Sequence, residues 1–243
     1  MSNDVPTTVA QHTVLLLDCS TSMRSRLEDL IAGANEVVDP LRAVPGALVS
    51  VVYFNGTVLA VHWRVEAQDL PRFSEFNIPI DSGTSLYNAI TSTAERLLDE
   101  LAAAHGENNC DAQVLIITDG QDSCSQFTRM HARLAIGRLR EAGVRLCFLS
   151  GVPGLASDLG CQREETIEFN PRTFRGGMRQ ATIMINQGKL AEALQIAEAE
   201  KRAEAEKSAE ATRKTEVANM AVVSPIRPTK QRPQRPWWRF WRR

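Results

Sequence analysis

Three largely apolar runs in the chain are continuous rather than alternating, and each leads into polar residues. They cover residues 14–17 before Asp18, residues 114–118 before Asp119-Gly120, and residues 144–149 before Ser150-Gly151. A half-exposed strand alternates apolar and polar residues, whereas a strand covered on both faces is apolar throughout. These runs therefore predict strands in the interior of a parallel sheet.

Two further apolar runs predict a hairpin. Residues 48–54 and 58–65 are separated by Asn55-Gly56, the dipeptide that most strongly favours a tight turn between antiparallel strands. One strand of this pair must run against the parallel strands. We expect it to be the second one, at an edge of the sheet.

Helical periodicity separates the predicted strands. Over residues 85–104 the apolar positions recur at spacings of three and four, which predicts a helix with one apolar face. Weaker helical patterns cover residues 24–43, 127–142 and 173–186, the last after a short predicted strand at 166–169. The alternation predicts an α/β fold: a doubly wound, mostly parallel central sheet with one antiparallel edge strand and helices on both faces.

The composition changes sharply past Gly188. Residues 189–218 are dominated by Ala, Glu, Lys and Arg and favour a solvated helical spacer, with a partner-binding helix as the alternative. Prolines among basic residues over 224–243 favour an extended, disordered chain. We expect a disordered N-terminus over 1–11, a folded domain over 12–186, a helical spacer over 187–220 and a disordered Pro/Arg/Trp-rich tail over 221–243.

Charge and cysteine content limit the class of protein. The net charge is −1, but residues 226–243 hold seven basic residues and no acid, so residues 1–225 carry 21 basic against 29 acidic side chains. The five cysteines are odd in number and widely spaced, which fits neither a disulfide framework nor a zinc cluster. The sequence shows neither a leader pattern nor an apolar run long enough to span a membrane, so we expect a cytoplasmic protein, peripheral at a membrane if the tail docks there.

Polar side chains follow two of the predicted parallel strands. Asp18 ends the first run and begins the segment Asp-Cys-Ser-Thr-Ser, and Asp119 follows another run. Ligands of doubly wound sheets bind beyond the carboxyl ends of the strands. Ser20, Ser22 and Thr84, the last just before the strongest helix, could bring hydroxyls to the same edge. Two carboxylates and three hydroxyls form an oxygen-only site suited to Mg²⁺, with Mn²⁺ as the alternative.

These segments resemble a known metal site. Asp-x-Ser-x-Ser at 18–22, Thr84 before a helix and Thr118-Asp119-Gly120 after a strand are similar, in order and approximate spacing, to the metal-ion-dependent adhesion site of von Willebrand factor type A domains. The resemblance covers about residues 12–186, and Met23 fits the bacterial-type pattern. It implies an intact site whose metal ligands, direct or through water, are Asp18, Ser20, Ser22, Thr84 and Asp119.

Two other interpretations of the same residues stay open. Asp, Ser and Thr are common helix caps, and Thr84 could simply cap the helix at 85–104. Asp18 at the end of a first strand is also similar to the nucleophile of haloacid-dehalogenase-type phosphatases. That family's second Asp is Ser20 here, and a serine cannot transfer the proton of a general acid near neutral pH. We therefore expect a protein that is not an enzyme.

The tail carries a second candidate binding segment. Trp and Arg interleave in it, so that cationic groups that attract phosphate alternate with rings that stack on bases or settle at a membrane interface. An anionic membrane, nucleic acid and a protein partner are the three alternatives for what it binds. The residues concerned are Arg235, Trp237, Trp238, Arg239, Phe240, Trp241, Arg242 and Arg243.

The sequence thus predicts a metal-dependent binding module. The resemblance implies an adaptor or scaffold that captures an Asp or Glu side chain of a protein partner through the bound divalent cation. For bacterial members of the family, an AAA-type ATPase or a stress-response assembly is an implied class of partner. The alternative is a membrane-surface or nucleic-acid-binding protein that acts through its Trp- and Arg-rich tail.

Overall fold

The computed structural model describes residues 11–103 and 111–186, and all structural statements refer to these residues. They hold a six-stranded sheet in the order β3-β2-β1-β4-β5-β6. The strands are β1 (Gln11–Asp18), β2 (Leu48–Phe54), β3 (Val58–Glu66), β4 (Asp111–Thr118), β5 (Arg145–Ser150) and β6 (Thr166–Glu168). The helices are α1 (Leu27–Val38), α2 (Leu86–Ala103), α3 (Arg129–Glu141), α4 (Leu155–Asp158) and α5 (Phe174–Asn186).

The topology confirms the predicted fold class. The pairs β1–β2, β1–β4, β4–β5 and β5–β6 are parallel, and β3 is antiparallel to β2 at one edge of the sheet. Asn55, Gly56 and Thr57 connect β2 to β3, as the Asn-Gly signal predicted.

The sheet is covered on both faces, which explains the continuous apolar runs. Leu15 and Leu17 of β1 pack in a cluster with α1 and α5, whereas Val14 and Leu16 pack in a second cluster with α2 and α3. All four side chains are at most 1% exposed. Successive side chains of a strand point to opposite faces, so a strand between two helical layers has no polar face.

The predicted helix over 24–43 is shorter than expected and is flanked by two 3₁₀ turns. The first turn covers Thr21–Arg26, and the second covers Asp39–Ala43 directly after α1. Pro40 lies in the second turn; it has no N–H to donate and its ring clashes with a preceding helical carbonyl. The proline therefore ends α1 where the periodicity alone continued the helix.

The strand order places a crevice between β1 and β4. From β1 the chain proceeds to β2 on one side, and from β4 it proceeds to β5 on the other side. At such a reversal the connections after the two adjacent strands diverge and leave open space beyond their carboxyl ends. Asp18 ends β1 and Asp119 follows β4, so both aspartates lie at this crevice.

Several predicted segments lie outside the described residues. These include residues 1–10 of the expected N-terminal segment, the predicted spacer over 187–220 and the predicted tail over 221–243. Gln11, the last residue of that N-terminal segment, is the first residue of β1. Across the described ranges, no helix combines the length and the apolar character that crossing a membrane requires.

Candidate metal site

Asp18 is buried at the end of β1 and is held by two donors. Its side chain is not exposed to solvent. The Thr118 hydroxyl donates to Asp18 Oδ2 at 2.6 Å, and the Ser20 backbone N–H donates to Asp18 Oδ1 at 2.8 Å. Because Thr118 is the last residue of β4, the first bond ties the ends of the two central strands together.

The serine hydroxyls connect Asp18's loop to Asp119. Ser20 Oγ lies 3.0 Å from Ser22 Oγ, and Ser22 Oγ donates to Asp119 Oδ1 at 2.6 Å. The 3₁₀ turn that begins after Ser20 brings Ser22 back towards the end of β4, and the fully buried Met23 fixes this turn in the core below α1. Three oxygen-bearing side chains therefore lie in a row along the crevice.

Thr84 approaches the same place from a third loop. A parallel bridge joins Ser20 to Asp81, and the Asp81 N–H donates to the Cys19 carbonyl at 3.0 Å. Thr84 is 7% exposed, and its Oγ1 lies 3.8 Å from the position that a Cβ on Gly120 would take. The structure thus brings all five predicted ligand residues to one end of the sheet.

The β2–β3 turn supports the Thr84 loop, a contact that the sequence did not reveal. The Gly56 N–H donates to the Ser82 carbonyl at 2.8 Å, and the Ser85 N–H donates to the Asn55 carbonyl at 2.6 Å. Gly83 has φ +85°, a conformation that residues with a Cβ rarely adopt. The Asn-Gly signal predicted a hairpin and carried no information about what the turn packs against.

Side chains after Asp119 cap the helix that follows Thr84. Asp122 Oδ1 accepts the Tyr87 N–H at 3.0 Å, and Ser125 Oγ accepts the Asn88 N–H at 2.9 Å. Ser123 Oγ accepts the N–H of Thr84 itself at 2.9 Å. Asp122 is therefore a helix cap. The loops that carry Thr84 and Asp119 are bonded to each other.

Removing this cap is expected to destabilise the fold. Asp122→Ala leaves the Tyr87 N–H without its side-chain acceptor and should lower the free energy of unfolding by about 1–2 kcal/mol. The control is Asp99→Ala, which removes the same charge from an exposed position in the later part of α2. Urea unfolding measures both variants, and equal stabilities would contradict the capping role.

Arg26 is a residue at the site that sequence reasoning missed. Its Nη1 donates to Asp119 Oδ2 and also to the Ser22 carbonyl, the latter at 3.2 Å. The side chains of Arg26 and Asp119 are only 17% and 4% exposed, so this ion pair is largely desolvated. The only signal in the sequence is a cationic residue four positions after Ser22, which is the spacing of one helical turn.

The electrostatics favour a cation between the two carboxylates. Burial raises the pKa of Asp18, and the negative charge of Asp119 raises it further, while hydrogen bonds from Ser20 and Thr118 oppose the rise. Two anionic groups in a poorly solvated crevice repel each other. The attraction of a cation between them offsets the free-energy cost of both their desolvation and their repulsion.

Nitrogen and sulfur ligands are not gathered at this site. Within the described ranges, no group of three or more His, Cys, Asp or Glu side chains is placed to hold a metal. Cys19 is buried, its Sγ is directed at the Leu17 carbonyl, and burial raises its pKa to about 12. The donors that converge are hydroxyl and carboxylate oxygens, which suit hard divalent cations.

The second predicted binding segment is the Trp- and Arg-rich tail. Arg235 and the aromatic and basic residues over 237–243 lie outside the described residues, so their binding to membrane, nucleic acid or protein stays a prediction.

Comparison with known proteins agrees with this architecture. Residues 13–121 match a family model described as von Willebrand factor type A domain. A search of curated protein sequences found no match. Among solved structures, the vWF domain of the type V pilus tip protein Mfa5 from Porphyromonas gingivalis matches with a TM-score of 0.56 and 11% identity, over 74% of this chain and 96% of that one.

Two other similar solved structures hold a divalent metal. Proximal thread matrix protein 1 from the mussel byssus, with a zinc-occupied MIDAS motif, matches with a TM-score of 0.53 and 14% identity over 72% of this chain. This chain spans 48% of that protein. Manganese-loaded TRAP protein of Plasmodium vivax matches with a TM-score of 0.50 and 13% identity, over 70% of this chain and 72% of that one. At such identities the likeness shows a shared fold.

Proposed function

We propose that the protein is a von Willebrand factor type A domain, the family whose model residues 13–121 match, and that it acts as a cation-dependent binding module without catalytic activity. In this proposal Asp18, Ser20, Ser22, Thr84 and Asp119 form an intact metal-ion-dependent adhesion site that holds Mg²⁺ or Mn²⁺. The bound cation takes a carboxylate from a protein partner.

The row of oxygens at the crevice carries this proposal. Ser20 Oγ, Ser22 Oγ and Asp119 Oδ1 are separated by 3.0 and 2.6 Å. Adjacent ligands of an octahedral Mg²⁺, each about 2.1 Å from the metal, lie about 3 Å from one another. The spacing of these oxygens therefore fits neighbouring ligand positions without a large movement of the backbone.

The charges of the donors explain why an acidic partner would be bound. Asp18 and Asp119 together balance a divalent cation, and the other three donors are neutral hydroxyls. A cation held in this way keeps its attraction for a further anion, and when bound it would offer a coordination position to an external carboxylate. The zinc and manganese named for the mussel and Plasmodium proteins support a divalent cation at this fold.

The donor set also supports a binding role rather than catalysis. Ser20 stands where a second acid would be needed to protonate a leaving group, and its hydroxyl lies against Ser22. Cys19 is buried as a protonated thiol and does not face the crevice as a nucleophile. We therefore propose that the site captures a partner and turns over no substrate.

The cellular setting is a further part of the proposal. We place the protein in the cytoplasm as an adaptor, with an AAA-type ATPase or a stress-response assembly as the class of partner. The seven basic residues over 226–243 would supply a second attachment to an anionic surface. Deleting these residues is expected to change where the protein resides and to leave cation-dependent capture intact.

Calorimetric titration of Mg²⁺ and Mn²⁺ into the full chain tests the metal site. We expect saturable binding of one cation, weakened more than about a hundredfold by Asp119→Ala, because that carboxylate supplies half of the compensating charge. Asp99→Ala removes an equal charge from exposed surface and should bind as the wild type does. Equal binding by all three proteins would contradict the site.

Capture of a partner is tested separately. The wild-type chain, Asp119→Ala and Asp99→Ala are immobilised and exposed to lysate with Mg²⁺ or with a chelator. Proteins retained by the wild type and by Asp99→Ala, but not by Asp119→Ala and not with chelator, support the proposal. If the same proteins are retained in the presence of chelator and by Asp119→Ala, the partner binds elsewhere on the chain.

A further inference from the structure

Arg26 faces the candidate metal ligands because of how the chain leaves the site. Ser20 is followed by the 3₁₀ turn Thr21–Arg26, and α1 begins at Leu27. Arg26 is the last residue of that turn, and its side chain returns to the crevice, where Nη1 bonds both Asp119 and the Ser22 carbonyl. The Asp-x-Ser-x-Ser segment is thus followed by a positively charged side chain that lies against one of the candidate metal ligands.

Both carboxylate oxygens of Asp119 are engaged inside the protein. Ser22 Oγ donates to Oδ1 and Arg26 Nη1 donates to Oδ2. The hydroxyl is neutral and can turn its lone pairs to a metal, whereas the guanidinium is positively charged and has no lone pair to offer. Of these two neighbours, only Arg26 must lose its contact with Asp119 or share it when a cation binds.

Burial strengthens the repulsion between Arg26 and a cation bound beside Asp119. The Asp119 side chain is 4% exposed and the Arg26 side chain is 17% exposed. Attraction and repulsion between charges are several times larger in such surroundings than in bulk water. A divalent ion beside Asp119 would therefore be repelled by Arg26, while the outer part of Arg26 retains a path to solvent.

We propose that Arg26 is an internal competitor for the divalent cation, and that it sets the cation concentration at which the site fills. This inference rests on the proposed metal site. With little cation present, the guanidinium neutralises Asp119 and holds the crevice together. When the cation binds, Arg26 leaves Asp119 and swings towards solvent.

Titration of Mg²⁺ into full-length variants tests the competition. Arg26→Gln removes the charge and keeps a shorter side chain that still donates hydrogen bonds, and it should lower the Kd for Mg²⁺ by about tenfold or more. Arg26→Lys keeps a point charge and should fall between Arg26→Gln and the wild type. Arg24→Gln, at an exposed position of the same turn, removes an equal charge and should leave the Kd unchanged.

Thermal unfolding supplies a second readout that does not depend on a partner. With chelator, Arg26→Gln should melt at a lower temperature than the wild type, because the buried Asp119 loses its counter-charge. Addition of Mg²⁺ should raise the melting temperature of Arg26→Gln more than that of the wild type. Arg24→Gln should follow the wild type in both conditions.

The outcomes separate this inference from the function on which it rests. Tighter binding by Arg26→Gln supports the competition, also if the wild type binds too weakly to measure. Binding that is equal in the wild type and Arg26→Gln but lost in Asp119→Ala overturns the competition and leaves the metal site standing. Absence of binding in every variant, Arg26→Gln included, overturns both, and Arg26 is then a permanent counter-ion.

Discussion

Acidification from pH 7 towards pH 4 is expected to destabilise the fold by about 3 kcal/mol through His12 alone. His12 is 1% exposed on β1, and its Nε2 lies 2.8 Å from Ser50 Oγ. Ser50 Oγ already accepts the Arg64 N–H at 2.9 Å, so its own hydrogen is free to point at His12. This arrangement suits a neutral imidazole that accepts at Nε2.

The sign of the effect follows from the pKa of His12 in the two states. Burial, and then the positive charge of Arg64, lower the pKa from 6.5 to about 4 in the folded protein. Between these values the unfolded chain binds a proton that the folded chain does not bind. The stability from the neutral side chain is therefore complete above pH 6.5 and is lost progressively as the pH falls towards 4.

Urea unfolding between pH 4 and pH 7.5 measures this dependence. In the wild type, the free energy of unfolding should fall as the pH is lowered from 6.5 to 4. His12→Gln should lack the part of this fall that His12 causes. His62→Gln serves as the control for the loss of one histidine from the sheet. Identical slopes for the wild type and His12→Gln would assign the acid sensitivity to other groups.

The fold was predictable because its signals are local and repeated. Residues 14–17 of β1 and 114–117 of β4 are apolar at every position, a pattern typical of strands that helices cover on both faces. Asn55-Gly56 identified the hairpin, and the two aspartates identified the crevice. Each inference used a few neighbouring residues and a rule about how strands meet.

The contacts that support the site were not predictable because they join distant parts of the chain. The Arg26–Asp119 ion pair spans 93 positions, and the Asp122–Tyr87 bond spans 35. Neither produces a periodic pattern, and a charged or polar residue in a loop looks the same whether it is solvated or bonded. Only the strand order β2-β1-β4, with the loops it brings together, gives these residues their roles.

Replacing Gly83 with alanine is expected to destabilise the protein by about 2–4 kcal/mol and to weaken Mg²⁺ binding. The residue has φ +85°, and an added Cβ would lie 2.8 Å from Gly56 Cα and 3.0 Å from Cys124 Sγ. Gly56 belongs to the β2–β3 turn, whose backbone is bonded to Ser82. Because backbone atoms have little room to move, the Thr84 loop must shift away from Asp119.

Gly46 provides a matched control for the conformational part of this cost. It also has a positive φ, +72°, but an added Cβ would meet nothing within 4 Å. Gly46→Ala should therefore cost about 1–2 kcal/mol from backbone conformation alone and leave the Kd for Mg²⁺ unchanged. The difference between the two variants in urea unfolding measures the steric contact. If Gly83→Ala matches Gly46→Ala in both stability and Mg²⁺ affinity, the β2–β3 turn does not hold Thr84 in place.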